Sequence, residues 1–128
     1  MTDTTTARIT GIHTVGVPVS DQDKALAFYT GPLGLGARMD VPMGGGSRWI
    51  EVAADGAPTS IALIPAKESA PAGVETGVRL ITTDADAFYR RLESAGADVD
   101  EVLRWPGVPA MFAFRDQDGN GLEVIERP

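Results

Sequence analysis

The sequence predicts an α+β fold, in which one domain is built from two half-size units that each run strand, helix, further strands. Val15, Val17 and Val19 alternate with other residues at the period of a strand with one apolar face. A helix start follows this strand directly, and the same order of signals returns in the second half of the chain. With 128 residues, 43% of them hydrophobic, the chain suits a single domain that buries a core.

The first unit begins with a strand predicted over residues 9–19. The run Ser20–Asp23 resembles a capping box and predicts a helix with Ser20 as its N-cap. Gly31-Pro32 ends this helix, because glycine favours the C-terminal turn and proline cannot continue the helix. The remaining strands of this unit are predicted over 48–53 and 59–64.

The second unit repeats this order after a linker, rich in helix and strand breakers, over residues 65–75. A strand over 77–82 leads into Thr83–Asp86, which repeats the capping pattern of the first unit with the same spacing. The second helix is predicted to end at Gly96. Further strands are predicted near 98–103, 110–115 and 121–126, with a tight turn over 116–121.

The predicted domain boundaries follow from these elements. Residues 1–8 are expected to form a disordered tail, and residues 9–127 a single domain with modules at about 9–64 and 76–127. Neither half could bury its apolar face alone, so the two modules are expected to pack together.

The composition argues against several classes of partner. The formal net charge of −7 argues against nucleic acid, because phosphate binding needs clustered Lys and Arg. The N-terminus lacks the apolar segment of a signal peptide, and no run approaches the roughly 20 apolar residues of a membrane span. The chain has no cysteine, which excludes a thiolate nucleophile and fits a reducing compartment. We therefore expect a cytoplasmic protein with neither nucleic acid nor membrane as a partner.

The paired half-motifs and the C-terminal run resemble the vicinal oxygen chelate superfamily, which includes glyoxalases, bleomycin-resistance proteins and extradiol dioxygenases. The resemblance covers about residues 9–127 and rests on Val15–Val19, Asp21, Phe28-Tyr29, Leu33-Gly34, Thr83-Asp84, Tyr89, Leu92, Gly96 and Asp116–Glu123. It implies two βαβββ modules that form one partial-barrel domain with a central cleft. It also implies a homodimer whose partner chain can complete the cleft. Some members bind a divalent ion there, and others bind a drug without metal.

The family's metal site is incomplete in this sequence. His13 is the only histidine, and it lies one residue before Thr14, which stands where the resemblance places the first ligand. A one-residue shift turns a strand side chain to the opposite face, although a β-bulge at His13 would restore its direction. Glu123 occupies the last ligand position, whereas Gly77 and Ala62 occupy the other two. Two ligands do not hold a divalent ion tightly, so we expect neither a metal nor another cofactor.

Several residues are candidates for binding a small molecule in the cleft. Strand parity places Arg79 there, as a bidentate donor for an anionic ligand or as the partner of Glu123 or Glu51. Glu51 is a spare carboxylate that could serve the ligand or a reduced metal site, or lie solvated on its strand. The aromatic candidates for the walls are Trp49, Trp105 and Phe112. For the two tryptophans, packing in a dimer interface or in the core is the alternative.

The glycine-rich run over 42–47 is predicted to be a mobile loop that could act as a lid, with a plain surface turn as the alternative.

These observations favour a metal-free small-molecule binding protein of the bleomycin-resistance type, with antibiotic sequestration as its function. The alternative is a metal-dependent glyoxalase-like lyase or isomerase, or a dioxygenase, that uses His13 and Glu123. A third hypothesis is a homodimer whose cleft has lost its ligand. No other nucleophile, base and acid come together in the sequence, so catalytic residues stay unassigned.

Overall fold

The computed structural model describes residues 4–128. The tail predicted over residues 1–8 therefore lies partly outside the described residues. In the described part of this tail, Thr4–Thr6 forms a short 3-10 turn. The exposed segment continues beyond the tail and covers residues 5–13.

The prediction of an α+β fold with two βαβββ modules is confirmed. The first module contains β1 (Thr14–Val19), α1 (Gln22–Thr30), β2 (Gly36–Gly44), β3 (Ser47–Ala53) and β4 (Ser60–Pro65). The second contains β5 (Glu75–Thr82), α2 (Ala85–Ser94), β6 (Asp98–Val99), β7 (Met111–Arg115) and β8 (Gly121–Glu126). The strands form two separate sheets, ordered β1-β4-β3-β2 and β5-β8-β7-β6, and neither sheet closes into a barrel. The first two strands in each order are parallel and the rest antiparallel.

Both helices begin one residue later than predicted, because an aspartate and not the preceding hydroxyl residue is the N-cap. The Asp21 side chain accepts a hydrogen bond from the Lys24 backbone N–H at 3.1 Å. Asp84 accepts in the same way from Ala87 at 3.0 Å. The predicted cap Ser20 instead donates its backbone N–H to Asp118 at 3.0 Å and also its hydroxyl to that carboxylate.

The first sheet has an edge strand, β2, that the sequence reasoning missed. Residues 42–44, predicted as part of a mobile loop, belong to this strand, and Gly45 and Gly46 form its tight turn into β3 with φ of 64° and 84°. The alternation of Ala37, Met39, Val41 and Met43 was the available signal. Irregular register near Arg38 and Met43, together with the flanking glycines, hides it.

The two modules share one hydrophobic core. A single cluster of buried side chains contains residues of both sheets and both helices. Phe28 of α1 contacts Phe114 of β7, with ring centroids 6.4 Å apart. Each sheet therefore has one face toward this core, and we call the opposite face its open face.

A second contact between the modules is made by the hairpin turn after β7. Tyr29 donates its hydroxyl to Asp116 at 2.7 Å, and Asn120 donates to the Pro18 carbonyl at 2.9 Å. Asp116 and Asn120 are buried. Burial and the nearby Asp116 carboxylate raise the pKa of Tyr29, so its hydroxyl remains the donor. The turn predicted over 116–121 thus also ties the second module to the first.

Neither α1 nor α2 has the length or the apolar character to cross a membrane, and no other described segment forms a helix that does.

Candidate functional site

The open face of the first sheet carries an anchored carboxylate. Trp49 donates its indole N–H to Glu51 Oε2 at 2.7 Å, and Ser60 donates its hydroxyl to Glu51 Oε1 at 2.7 Å. Glu51 is only 4% exposed. The hydrogen bonds from Trp49 and then Ser60 lower the pKa of Glu51, so this buried group is a carboxylate at neutral pH. The two donors also hold it in one orientation.

Apolar side chains surround this carboxylate on the same face. Cross-strand partners share a face of a sheet, and Met39 pairs with Glu51 while Val41 pairs with Trp49. Met39 and Val41 are 43% and 45% exposed, and Trp49 is half-buried. The first open face therefore combines an indole, two flexible or branched apolar side chains and a negative charge. This set of groups suits a flat organic molecule with a positively charged or donor group. Met39, Val41 and Ser60 were not among the predicted site residues.

His13 lies outside β1 and is exposed. The strand begins at Thr14, so the strand predicted from residue 9 is shorter, and the bulge considered for His13 does not arise. His13 is near enough to Glu51 to contribute, after the hydrogen bonds from Trp49 and Ser60, to the lowered pKa of that carboxyl. Glu123, the other predicted metal ligand, belongs to the second module. Among residues 4–128, no three His, Asp or Glu side chains come together in a group that could hold a metal ion.

The open face of the second sheet carries a charge pair. Arg79 Nε lies 3.6 Å from Glu123 Oε2, and these residues are directly paired between β5 and β8. The two side chains are 61% and 40% exposed. Of the alternatives for Arg79, pairing with Glu123 is the one that the structure shows. A guanidinium has five N–H donors, more than one carboxylate can accept, so Arg79 keeps donors for a ligand.

The two remaining aromatic candidates lie in different environments. Trp105 is 53% exposed in the segment between β6 and β7. Phe112 is 1% exposed and packs edge-on against Tyr89, with ring centroids 5.7 Å apart. Phe112 pairs with Val124 and so points to the core face of the second sheet. Its predicted placement as a ligand-binding residue is therefore corrected to core packing.

The predicted site residues form two groups and not one cluster. Trp49 and Glu51 lie together on the first open face, and Arg79 and Glu123 lie together on the second. Within the described part of the chain, no hydrogen bond or ion pair joins the two groups. Strand parity placed Arg79 on the cleft face and left its partner open, and it did not address the relative placement of the two sheets.

The chain belongs to the glyoxalase/bleomycin resistance protein/dioxygenase superfamily, whose family model matches residues 11–124. The resemblance in the sequence is thereby confirmed.

Several solved structures share this fold closely. The chain is 35% identical to TnmS3, an antibiotic binding protein from Streptomyces sp. CB03234, with a TM-score of 0.84 over 95% of this chain and 99% of that one. It is 33% identical to a superfamily member from Sphaerobacter thermophilus DSM 20745, with a TM-score of 0.84 over 93% and 98% of the two chains. Among curated proteins, YetH of Bacillus subtilis (strain 168) is 31% identical, covering 85% of this chain and 92% of YetH.

Proposed function

We propose that this protein binds a small organic molecule without a metal ion, and that sequestration of an antibiotic-like compound is its function. The observation that carries the proposal is the Glu51 carboxylate, held by Trp49 and Ser60 within an apolar open face. Such a face binds a ring system by contact and orients it by one charged hydrogen bond. The similarity to TnmS3 supports the same class of ligand. The lack of cysteine is in keeping with a cytoplasmic protein.

The ligand is expected to be aromatic and to carry a cationic group. Glu51 is ionised and nearly removed from solvent, and a charge in that setting is stabilised by a partner of opposite sign. The net charge of −7 also favours the approach of a cation. Arg79 and Glu123 on the second open face would contact polar substituents of the ligand.

The functional unit is expected to be a homodimer. Each open face by itself is a wall and not an enclosed pocket, whereas small-molecule sites usually bury most of their ligand. A second copy that brings its Arg79–Glu123 face opposite the Trp49–Glu51 face would form two equivalent enclosed clefts. This arrangement would also cover Met39, Val41 and Ile81, which are exposed in the single chain.

The test is a titration of the Trp105→Phe variant with cationic aromatic antibiotics. Binding is monitored through the change in Trp49 fluorescence. The chain has only two tryptophans, so this variant isolates the one at the site. Glu51→Gln keeps the shape but removes the charge, and we expect at least about tenfold weaker binding because a charge-assisted hydrogen bond is lost. The matched control is Glu68→Gln, at an exposed position.

Equal binding by Glu51→Gln and the control would contradict the role of Glu51. Near-stoichiometric divalent metal in the purified protein, lost in His13→Ala, would contradict the metal-free mode and support the enzymatic alternative.

A further inference from the structure

A cavity of about 440 Å³ lies between the two modules, and neither Trp49 nor Glu51 is part of its lining, although Ser60, which donates to Glu51, is. The first module contributes residues of β1, β3, β4 and the turn between β3 and β4 to its walls. The second module contributes the central residues of β5. The apolar residues of its lining are Val15, Leu35, Val52, Ile61, Val78 and Leu80. Its volume falls in the range of small-molecule sites in proteins.

The cavity is open because one of two equivalent turns does not bind the neighbouring module. The turn after β7 begins with Asp116, which is tied to Tyr29 of the other module. In the first module, the equivalent turn after β3 begins with Ala54, which has no side-chain group to make such a bond. Its hydrogen bonds in the described structure stay within the first module. Ala57 donates its backbone N–H to the Ala54 carbonyl and accepts from the Arg38 guanidinium, and Thr59 donates its hydroxyl to the Ile12 carbonyl. The second module is thus held on one side and leaves space on the other.

The hydroxyl groups that line this space are already engaged. Ser60 donates to Glu51, Thr59 to the Ile12 carbonyl and Thr76 to the Gly121 carbonyl. Arg79 is the only charged residue of the lining, and it is largely exposed beside Glu123. The interior therefore has no charge that would select an ionic ligand.

The backbone of β5 also contributes polar groups to the wall, although the Val78 N–H already donates to the Thr76 hydroxyl at 3.1 Å. This strand is at the edge of its sheet and pairs only with β8. Every residue from Thr76 to Ile81 lines the cavity, which includes residues that point to opposite faces of the sheet. The strand therefore borders the cavity along its free edge and not with one face. An edge strand presents N–H and C=O groups that no neighbouring strand satisfies. Gly77 interrupts the register there with φ of 75°, and a side chain at this position would meet open space.

We propose that this cavity is a second binding site, for an uncharged lipophilic molecule with a hydrogen-bonding group along one side. The apolar walls contact its ring or branched hydrocarbon skeleton, and the β5 edge bonds its carbonyl, hydroxyl or amine. Trp49 and Glu51 do not line this cavity, so its ligand differs from the cationic compound proposed for the first open face, although Arg79 and Ile81 border both the cavity and the second open face.

The test uses N-phenyl-1-naphthylamine, an uncharged lipophilic probe whose fluorescence rises in an apolar environment. Ala57→Phe and Val78→Phe place a ring in the cavity from its two sides, and Ala87→Phe puts the same ring on the exposed surface of α2. We expect saturable binding, with at least about tenfold weaker affinity in both cavity variants because the probe and the new ring occupy the same space. The Ala87→Phe control should bind as the unmodified protein does.

Circular dichroism and thermal unfolding establish that each variant is folded before its affinity is compared. Trp49→Ala should leave the affinity of the probe unchanged, since Trp49 does not line the cavity. Loss of probe binding in Trp49→Ala with full binding in the cavity variants would place the probe on the open face and overturn the proposal. Absence of saturable binding to the unmodified protein would overturn it too, without bearing on antibiotic binding at Glu51.

Discussion

At the scale of single residues, Glu51 shows how a sheet holds a charge away from water. Its two oxygens accept from two different strands, since Trp49 lies on β3 and Ser60 opens β4. Burial alone would raise the pKa of a carboxyl group, but here the two hydrogen bonds outweigh it and the pKa is lowered. The folded protein thus favours the ionised form.

The lowered pKa of Glu51 predicts a pH-dependent effect of Trp49→Phe. At neutral pH the variant should lose roughly 1 kcal/mol of unfolding free energy, because it lacks the indole donor to a charged acceptor. A group with a lowered folded-state pKa stabilises the fold above its ordinary value of 4.5, and this contribution is lost as the pH falls toward the folded-state pKa. The difference between variant and unmodified protein should therefore shrink in urea unfolding below pH 4.5. Trp105→Phe, at an exposed position, is the matched control and should show no such dependence.

At the scale of elements, the two helices show that sequence signals locate a helix better than its first residue. Both predicted caps were one residue early, and in both cases an aspartate accepts the hydrogen bond from the third residue after it. Asp and Ser are similarly good caps, so their neighbouring positions compete, and the backbone conformation decides. Asp21 and Asp84 both have the extended φ and ψ of an N-cap.

Removal of either cap is expected to destabilise the protein. Asp84→Ala should lower the unfolding free energy by about 1 kcal/mol, because it leaves the Ala87 N–H without its partner. Thr83→Ala is the control at the position that the sequence suggested, and its effect should stay within about 0.5 kcal/mol. Chemical denaturation of the two variants decides which residue is the cap, and a larger loss in Thr83→Ala would contradict the assignment.

At the scale of the whole molecule, the two modules are joined asymmetrically. The turn after β7 is bonded into the first module through Tyr29 and Pro18, while the hydrogen bonds of the equivalent turn after β3, among residues 4–128, stay within the first module. The duplicated order of elements therefore does not produce two equivalent junctions. One junction is filled by a buried polar network and the other contains the cavity.

The polar junction predicts that Tyr29→Phe destabilises the contact between modules. Asp116 would lose a donor in a buried site, which costs about 1–3 kcal/mol. Tyr89→Phe removes a hydroxyl that reaches only an exposed Glu93 carboxylate, and should cost much less. Thermal unfolding measures both, and hydrogen exchange at Asn120 should rise selectively in Tyr29→Phe. Equal effects of the two substitutions would indicate that the network does not hold the modules together.

The sequence by itself determined the fold class, the repeated order of elements and the face of most strand residues. These properties are local, because side-chain alternation and helix termination depend on neighbours along the chain. Parity placed Arg79 on the cleft face but left Glu123 and Glu51 open as its partner, while the apolar alternation in β2 was hidden by glycines and irregular register. Only the tertiary structure decided that Phe112 belongs to the core, that the two charged groups lie on separate faces, and that a cavity remains between the modules. Those features depend on how one sheet packs against another, and that packing is set by contacts between residues far apart in the chain.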